Sequence, residues 1–288
     1  DVVGFQTDRD LWSFQDCLTQ PEIGGSISRD GRVTAFGRTF RAEVFPISID
    51  VDACQLLAAE NMEHSQVQRL KTSLGDRRVI IGVDRLDYSK GLELRFRAFE
   101  NLLMNHPEMR RHVSLLQIAP PTRTGVRTYD RIRENLEQAS GNINGRFADI
   151  DWVPIRYLNR LYERPVLMSL YRLASVGLVT PIRDGMNLVA KEYVATQDPE
   201  DPGMLVLSTL AGAAKELVAA VLVNPYDQEG VADGIRRAID MPLEERRERH
   251  ADMMAALRKN DIHTWRKNFV TALTEENEAS NRWPTESG

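Results

Sequence analysis

The sequence predicts an α/β protein built on a doubly wound parallel sheet. Two observations carry that prediction. Apolar runs of strand length stand at 79–84, 113–119, 153–157, 176–180, 204–208 and 220–224. Between and after them lie amphipathic, helix-period segments at 92–106, 126–147, 162–174, 187–197, 211–218 and 228–240. Alternation of this kind is the mark of βα units, whose parallel strands are covered by helices on both faces. A third observation is that polar stretches follow three of the apolar runs, where the carboxyl ends of parallel strands gather ligands.

In chain order, Leu11, Phe14 and Leu18 predict a helix, with Asp8 as its cap. The runs 32–36 and 40–47 flank Gly37-Arg38-Thr39 and read as a hairpin or a pair of short strands. A helical pattern covers 51–74 and is closed by Gly75-Asp76. The six βα units then make one Rossmann-like domain of about 200 residues, a normal domain size. The charged tail 242–278 is helical, and Trp265, Phe269 and Leu273 form an apolar stripe that needs a surface to pack on. Residues 281–288 read as a frayed terminus.

The composition of this 288-residue chain is 42% hydrophobic and 27% charged, with a formal net charge of −5. Such a chain has no field to attract nucleic acid or an anionic membrane, so neither is expected as a partner. No apolar run approaches the roughly 18 residues of a membrane span. Cys17 and Cys54 match no metal or redox spacing, which favours buried thiols, a reducing compartment and a cytoplasmic location. His64, His106, His112, His250 and His263 lie in helical or charged contexts and are expected at the surface. The chain opens on Asp1 and Val2-Val3-Gly4-Phe5, which reads like a domain interior, so a fragment is expected.

The chemistry is concentrated in the loops. Thr180-Pro181-Ile182-Arg183-Asp184-Gly185-Met186-Asn187 joins a strand to a helix that starts Leu188-Val189-Ala190-Lys191-Glu192. Gly185 lets backbone approach a ligand, and Asn187 is the expected N-cap. The helix mouth offers N–H groups to an anion, and Glu192 stands one turn above it. In Val83-Asp84-Arg85-Leu86-Asp87-Tyr88-Ser89-Lys90-Gly91, the cations Arg85 and Lys90 can both enter the crevice and neutralise a diphosphate. Asp87 can orient one of them, while an ion pair of Arg85 with Asp84 or Asp87 is the structural alternative. The third loop, Gln117-Ile118-Ala119-Pro120-Pro121-Thr122-Arg123, carries Arg123, again suited to a phosphate or else simply exposed. No G-x-G-x-x-G follows the strand ending at Asp84, which argues against a nucleotide-binding oxidoreductase.

Together with Gly4-Phe5-Gln6-Thr7, Leu207-Ser208 and Ala211-Gly212-Ala213, these stretches resemble the trehalose-6-phosphate synthase family, from residue 1 to about 275. The resemblance implies a GT-B-type retaining glycosyltransferase of two facing Rossmann-like domains. It further implies transfer of glucose from a nucleotide glucose, UDP-glucose first, to glucose 6-phosphate, with no cofactor and no metal. By matching position, Arg85 and Lys90 would grip the donor diphosphate and stabilise the leaving group. Asp184, Gly185, Met186 and Asn187 would hold the donor glucose, with Leu188, Val189, Ala190 and Lys191 continuing the donor-binding stretch and Glu192 on the ribose. Tyr162 would lie near the nucleobase, and Arg123 would contact the acceptor phosphate. On this reading residues 1–57 are the end of the N-terminal, acceptor-side domain and 58–262 form the donor domain. Residues 263–288 would be a helix packing back on the N-terminal domain, followed by the tail. A homo-oligomer is the remaining partner expectation, and this stretch alone is expected to be inactive. The alternatives are a synthase using ADP- or GDP-glucose or glycerol 3-phosphate, and a non-catalytic relative that binds sugar nucleotides.

Overall fold

The apolar runs form strands, those in the middle of the sheet buried along nearly their whole length, and the way they connect decides where a ligand can sit. The computed structural model describes residues 1–121 and 127–281. The elements run β1 (Val2–Phe5), α1 (Asp8–Thr19), β2 (Ser26–Ile27), β3 (Arg32–Ala35), β4 (Arg38–Val44), α2 (Val51–Glu60), α3 (Ser65–Leu74), β5 (Arg78–Val83) and α4 (Leu92–Asn105). They continue with β6 (Val113–Ile118), α5 (Arg127–Phe147), β7 (Ile155–Leu158), α6 (Arg164–Leu173), β8 (Val176–Val179), α7 (Leu188–Thr196), β9 (Met204–Ser208), β10 (Val221–Val223), α8 (Gln228–Asp240), α9 (Leu243–Lys259) and α10 (Ile262–Asn281).

Two compact units result. One is Asp1–Ser48 with the residues from Lys259 on, and the other is Ile49–Arg258. The first holds a four-stranded sheet in the order β1-β4-β3-β2, with β1 parallel to β4 and the others antiparallel. Leu18, Val33, Ala35 and Ala42 form its core, joined by Phe5, Leu11, Phe14, Ile23 and Phe40. Thr7, not Asp8, caps α1, its side chain accepting from Asp10 N. Two residues of the predicted stripe on α10 pack within this unit, while Leu273 is exposed: Trp265 stacks on Phe269, Phe269 meets Phe45 edge to face, and Trp265 Nε1 donates to Phe45 O at 3.1 Å.

The second unit holds the six-stranded sheet, in the order β10-β9-β8-β5-β6-β7 with every neighbouring pair parallel. From β5 the chain winds outward through β6 and β7, then returns to lay β8 on the other side of β5. The switch point of the sheet is therefore between β5 and β8, and the loops leaving their carboxyl ends border the crevice. Gly177 in β8 packs directly under Tyr193 of α7, since a Cβ there would meet the ring at 2.6 Å.

Several expectations change. The pattern 51–74 is two helices, broken at Asn61 and restarted by His64, whose ring accepts from Gln66 N. Helix α2 buries Val51, Cys54 and Ala58 and packs on α6 and α7, so the second unit begins at Ile49, not 58. The stretch 211–218 yields only a 3-10 turn, Gly212–Lys215. The tail breaks into α9 and α10 where Asp261 Oδ1 accepts from Thr264 N at 2.7 Å. His250 is buried, not exposed: its Nε2 lies 3.1 Å from Val194 O, and burial holds its pKa below the ordinary value. Both cysteines are free, Cys54 buried and Cys17 exposed. No helix among the described residues is long and apolar enough to cross a membrane.

Candidate active site

The loops after β5 and β8 touch each other before any ligand is considered. Ser89 O accepts from Ile182 N at 2.8 Å and from Arg183 N at 3.2 Å. Gly91 turns with φ +65, and a Cβ on it would meet Thr180 O at 2.8 Å, so glycine is required on both counts. Asp87 Oδ1 accepts from Ser89 N and Ser89 Oγ, at 2.9 and 2.8 Å. Burial pushes the Asp87 carboxyl up, yet those bonds and the nearby charges of Lys90 and Arg85 outweigh it and hold the pKa below the usual value. Asp87 thus shapes the turn that presents the two cations.

Lys90 Nζ lies 2.5 Å from Asp184 Oδ2, each side chain 15% exposed, which joins the two loops by charge. Asn187 Nδ2 donates to the same Asp184 oxygen at 2.9 Å, and Asn187 Oδ1 caps α7 by accepting from Ala190 N at 3.0 Å. With Ala190 satisfied in this way, the N–H groups of Leu188 and Val189 stand at the helix mouth, as an anion site requires. Asn187 takes φ +81 to do this. Asp184 itself is anchored from the far side: its N–H donates to Leu210 O, and Gly212 N donates to its carbonyl. Gly212 approaches Gly185 so closely that a Cβ would lie 1.9 Å from Gly185 O.

Arg85 is exposed at the carboxyl end of β5 and has no hydrogen-bond or ion-pair partner among the described residues. The structural alternative for it therefore fails, because Asp84 is bound elsewhere, to Arg95. Glu192 faces inward from α7 and meets Arg164 Nη2 at 3.4 Å, and burial raises its pKa while Arg164 lowers it. Arg164 begins α6, just after Tyr162, so Glu192 and the β7–α6 connection border the same side of the crevice. Tyr162 is half-buried; its OH accepts from Arg160 Nε at 2.7 Å, and the Arg160 guanidinium lies 4.7 Å over its ring. Met186 is buried, Gly185 and Leu188 are exposed. Arg123 lies outside the described residues.

One assignment needs correcting. The side chain of Lys191 is fully buried, its Nζ 2.6 Å from Glu216 Oε1, so this ammonium is not presented to a ligand in the crevice. The period of α7 gave no warning, since nearly every residue of that helix is covered. Arg164, Arg183 and Arg95 went unselected in the sequence. Arg183, beside Asp184, is exposed. Arg95 did leave a trace: it sits among Leu92, Phe96 and Phe99 on the apolar stripe of its helix, where a charge demands a partner. Among the described residues no group of three or more His, Cys, Asp or Glu side chains could hold a metal ion.

The model of Glycosyltransferase family 20 matches residues 1–275. A trehalose-6-phosphate synthase of Sinorhizobium fredii is 50% identical over 274 residues, which cover 95% of this chain and 59% of that protein. The chain thus spans about three-fifths of the length of that relative. Among solved structures, an α,α-trehalose-phosphate synthase (UDP-forming) from Burkholderia xenovorans in complex with glucose-6-phosphate is 52% identical with a TM-score of 0.93, covering 95% of this chain and 61% of that one. An E. coli trehalose-6-phosphate structure bound with UDP-2-fluoro glucose is 46% identical with a TM-score of 0.91, covering 95% of this chain and 60% of that one.

Proposed function

We propose, from the premise that this chain belongs to glycosyltransferase family 20, that it holds the nucleotide sugar in a glucosyltransferase making α,α-trehalose 6-phosphate. The donor is UDP-glucose, the acceptor glucose 6-phosphate, and configuration is retained. The observation that carries this reading is the meeting, at the switch point of the sheet, of two cations and one helix mouth. Arg85 stands free, Lys90 is within reach of both loops, and α7 opens beside Asp184.

In the reaction an acceptor hydroxyl oxygen bonds to glucose C1 as the bond from C1 to the diphosphate oxygen breaks. Negative charge grows on the leaving phosphate, which takes the acceptor proton on the same face. Arg85, Lys90 and the N–H groups of Leu188 and Val189 are placed to stabilise that charge, and fixed donors aimed at developing charge are the largest usual contribution to such a rate. Asp184 and Asn187, already joined to each other, offer oxygens to sugar hydroxyls. Glu192 takes the ribose hydroxyls, with Tyr162 toward the base and Arg123 on the acceptor phosphate. The relatives bound with glucose-6-phosphate and with UDP-2-fluoro glucose support both substrates.

Reactive geometry needs donor and acceptor held together. These 288 residues alone are therefore expected to bind UDP weakly and to transfer no glucose. The test is to assay trehalose 6-phosphate formation from UDP-, ADP- and GDP-glucose, with this stretch alone and with the protein at its natural length. Product from UDP-glucose in the longer protein only is the expected result. No product from any of the three donors would overturn the assignment, and turnover by the 288 residues would overturn the need for more.

A further inference from the structure

Below the crevice lies a polar cluster that the proposed reaction does not use. Arg95, in the first turn of α4, is completely buried, and its guanidinium reaches the ends of three neighbouring strands. Nη1 donates to Asp84 Oδ2 at 2.6 Å, just past β5, and to Gln117 Oε1 at 3.0 Å, near the end of β6. Nε donates to Thr180 Oγ1 at 3.0 Å, just past β8. Gln117 extends the cluster by donating from Nε2 to Gly82 O at 3.1 Å. Strands β8, β5 and β6 are adjacent in the sheet, and the loops that follow them carry Asp184, Arg85 with Lys90, and Arg123.

We infer that Arg95 is a positioning residue: one guanidinium that fixes the carboxyl ends of β5, β6 and β8 against each other and so sets the relative placement of the two loops that carry Lys90 and Asp184. This deepens the proposed reaction and rests on it for the catalytic consequence, though not for the structural one.

Two features argue that the cluster is more than a device for stability. Room has been made for it at Gly82, where a Cβ would lie 2.5 Å from Gln117 Oε1 and 2.7 Å from Arg95 Nη1. The cluster is also imperfectly satisfied, because the buried Nη2 of Arg95 has no hydrogen-bond partner among the described residues. Burying a charge is costly, and well-packed apolar side chains of similar volume commonly stabilise a core as well or better. Leucines here would hold the core together, but they would not hold three strand ends by direction. Hydrogen bonds do, because they weaken steeply off axis. The residues held are immediate neighbours of the working ones, Asp84 beside Arg85 and Thr180 four residues before Asp184.

The test uses two variants in the protein at its natural length. Arg95→Lys keeps a charge for Asp84 but cannot reach three strand ends at once. Thr180→Val removes one spoke and leaves the ion pair whole, so it reports even if Arg95→Lys folds poorly. The expected result is amide exchange about tenfold faster in 84–91 and 180–187, with β9 and α8 unchanged. In parallel kcat should fall about tenfold while KM for the donor moves much less. Exchange that rises uniformly across the domain, or kcat per folded molecule equal to wild type, would overturn the positioning role. If no donor yields product yet exchange rises only in the two loops, the positioning role stands and the proposed reaction falls.

Discussion

Two lysines of the larger unit end on carboxylates at almost the same distance and do opposite things. Lys90 lies 2.5 Å from Asp184 at the edge of the crevice, with 15% of each side chain exposed. Lys191 lies 2.6 Å from Glu216 beneath helix α7, with none of the lysine side chain exposed. The first pair joins two loops and stays open to solvent, so a phosphate can compete for the ammonium. The second ties α7 to the segment after the Gly212 turn, which in turn abuts Gly185. Burial lowers the Lys191 pKa, and Glu216 raises it in return. Distance alone would class the two as equivalent. Access to water separates a charge that an anion can reach from one that it cannot.

The strongest way to break this comparison is to remove the anchor. Lys191→Met leaves Glu216 buried without its counter-charge, which should cost about 3–5 kcal/mol of stability. A large fall in the thermal midpoint is expected, mostly recovered in the double variant Lys191→Met with Glu216→Leu, where an apolar pair replaces the ionic one. A midpoint equal to wild type in the single variant would place the two lysines in one class.

On the proposed role, the charges at the crevice should respond in turnover rather than stability. Lys90→Ala, and separately Arg85→Ala, should lower kcat about 10²–10³-fold, or about 2.7–4 kcal/mol, while the thermal midpoint hardly moves. Near-native turnover at saturating donor would remove both from the diphosphate. Arg85 is the sharper of the two, because no partner among the described residues is disturbed by its loss.

Glu192 lies between the two classes, partly covered and weakly paired with Arg164. Glu192→Gln should weaken binding of UDP by about 1.5–3 kcal/mol, the value of a hydrogen bond to a charged group. Burial raises its pKa, so the carboxylate takes its proton at a higher pH than the ordinary value of 4.5. Acidification should therefore weaken UDP binding early in wild type, before ordinary carboxylates titrate, and this early loss should vanish in Glu192→Gln. Calorimetry across the acid range reads both effects, and parallel pH profiles for the two proteins would refute the ribose assignment.

Much of this was legible beforehand. All six apolar runs of the later sequence form strands; β6, β8 and β9 are buried on both faces, and such strands must be apolar throughout, whereas the edge strands β7 and β10 are only partly covered. The Asn187 cap of α7 is legible as well, because capping is a local feature that local sequence encodes. The errors were of another kind. A helix is expected at 211–218, but the segment forms only the 3-10 turn Gly212–Lys215. The unit boundary was expected near 58, but α2 packs on α6 and α7 and belongs with them.

By itself, then, the sequence determined the α/β class and the succession of strands and helices along the chain. Periodicity and capping act over a few residues and leave their mark there. The tertiary structure alone decided which charges border the crevice and which are buried against a counter-charge. Arg95 finds Thr180 across 85 positions of sequence, and Lys191 finds Glu216 across 25. Arg85, Lys90, Arg95 and Lys191 are alike as letters. Their partners and their exposure arise only when β8 returns beside β5, and a charge takes its meaning from the dielectric and the counter-charges around it.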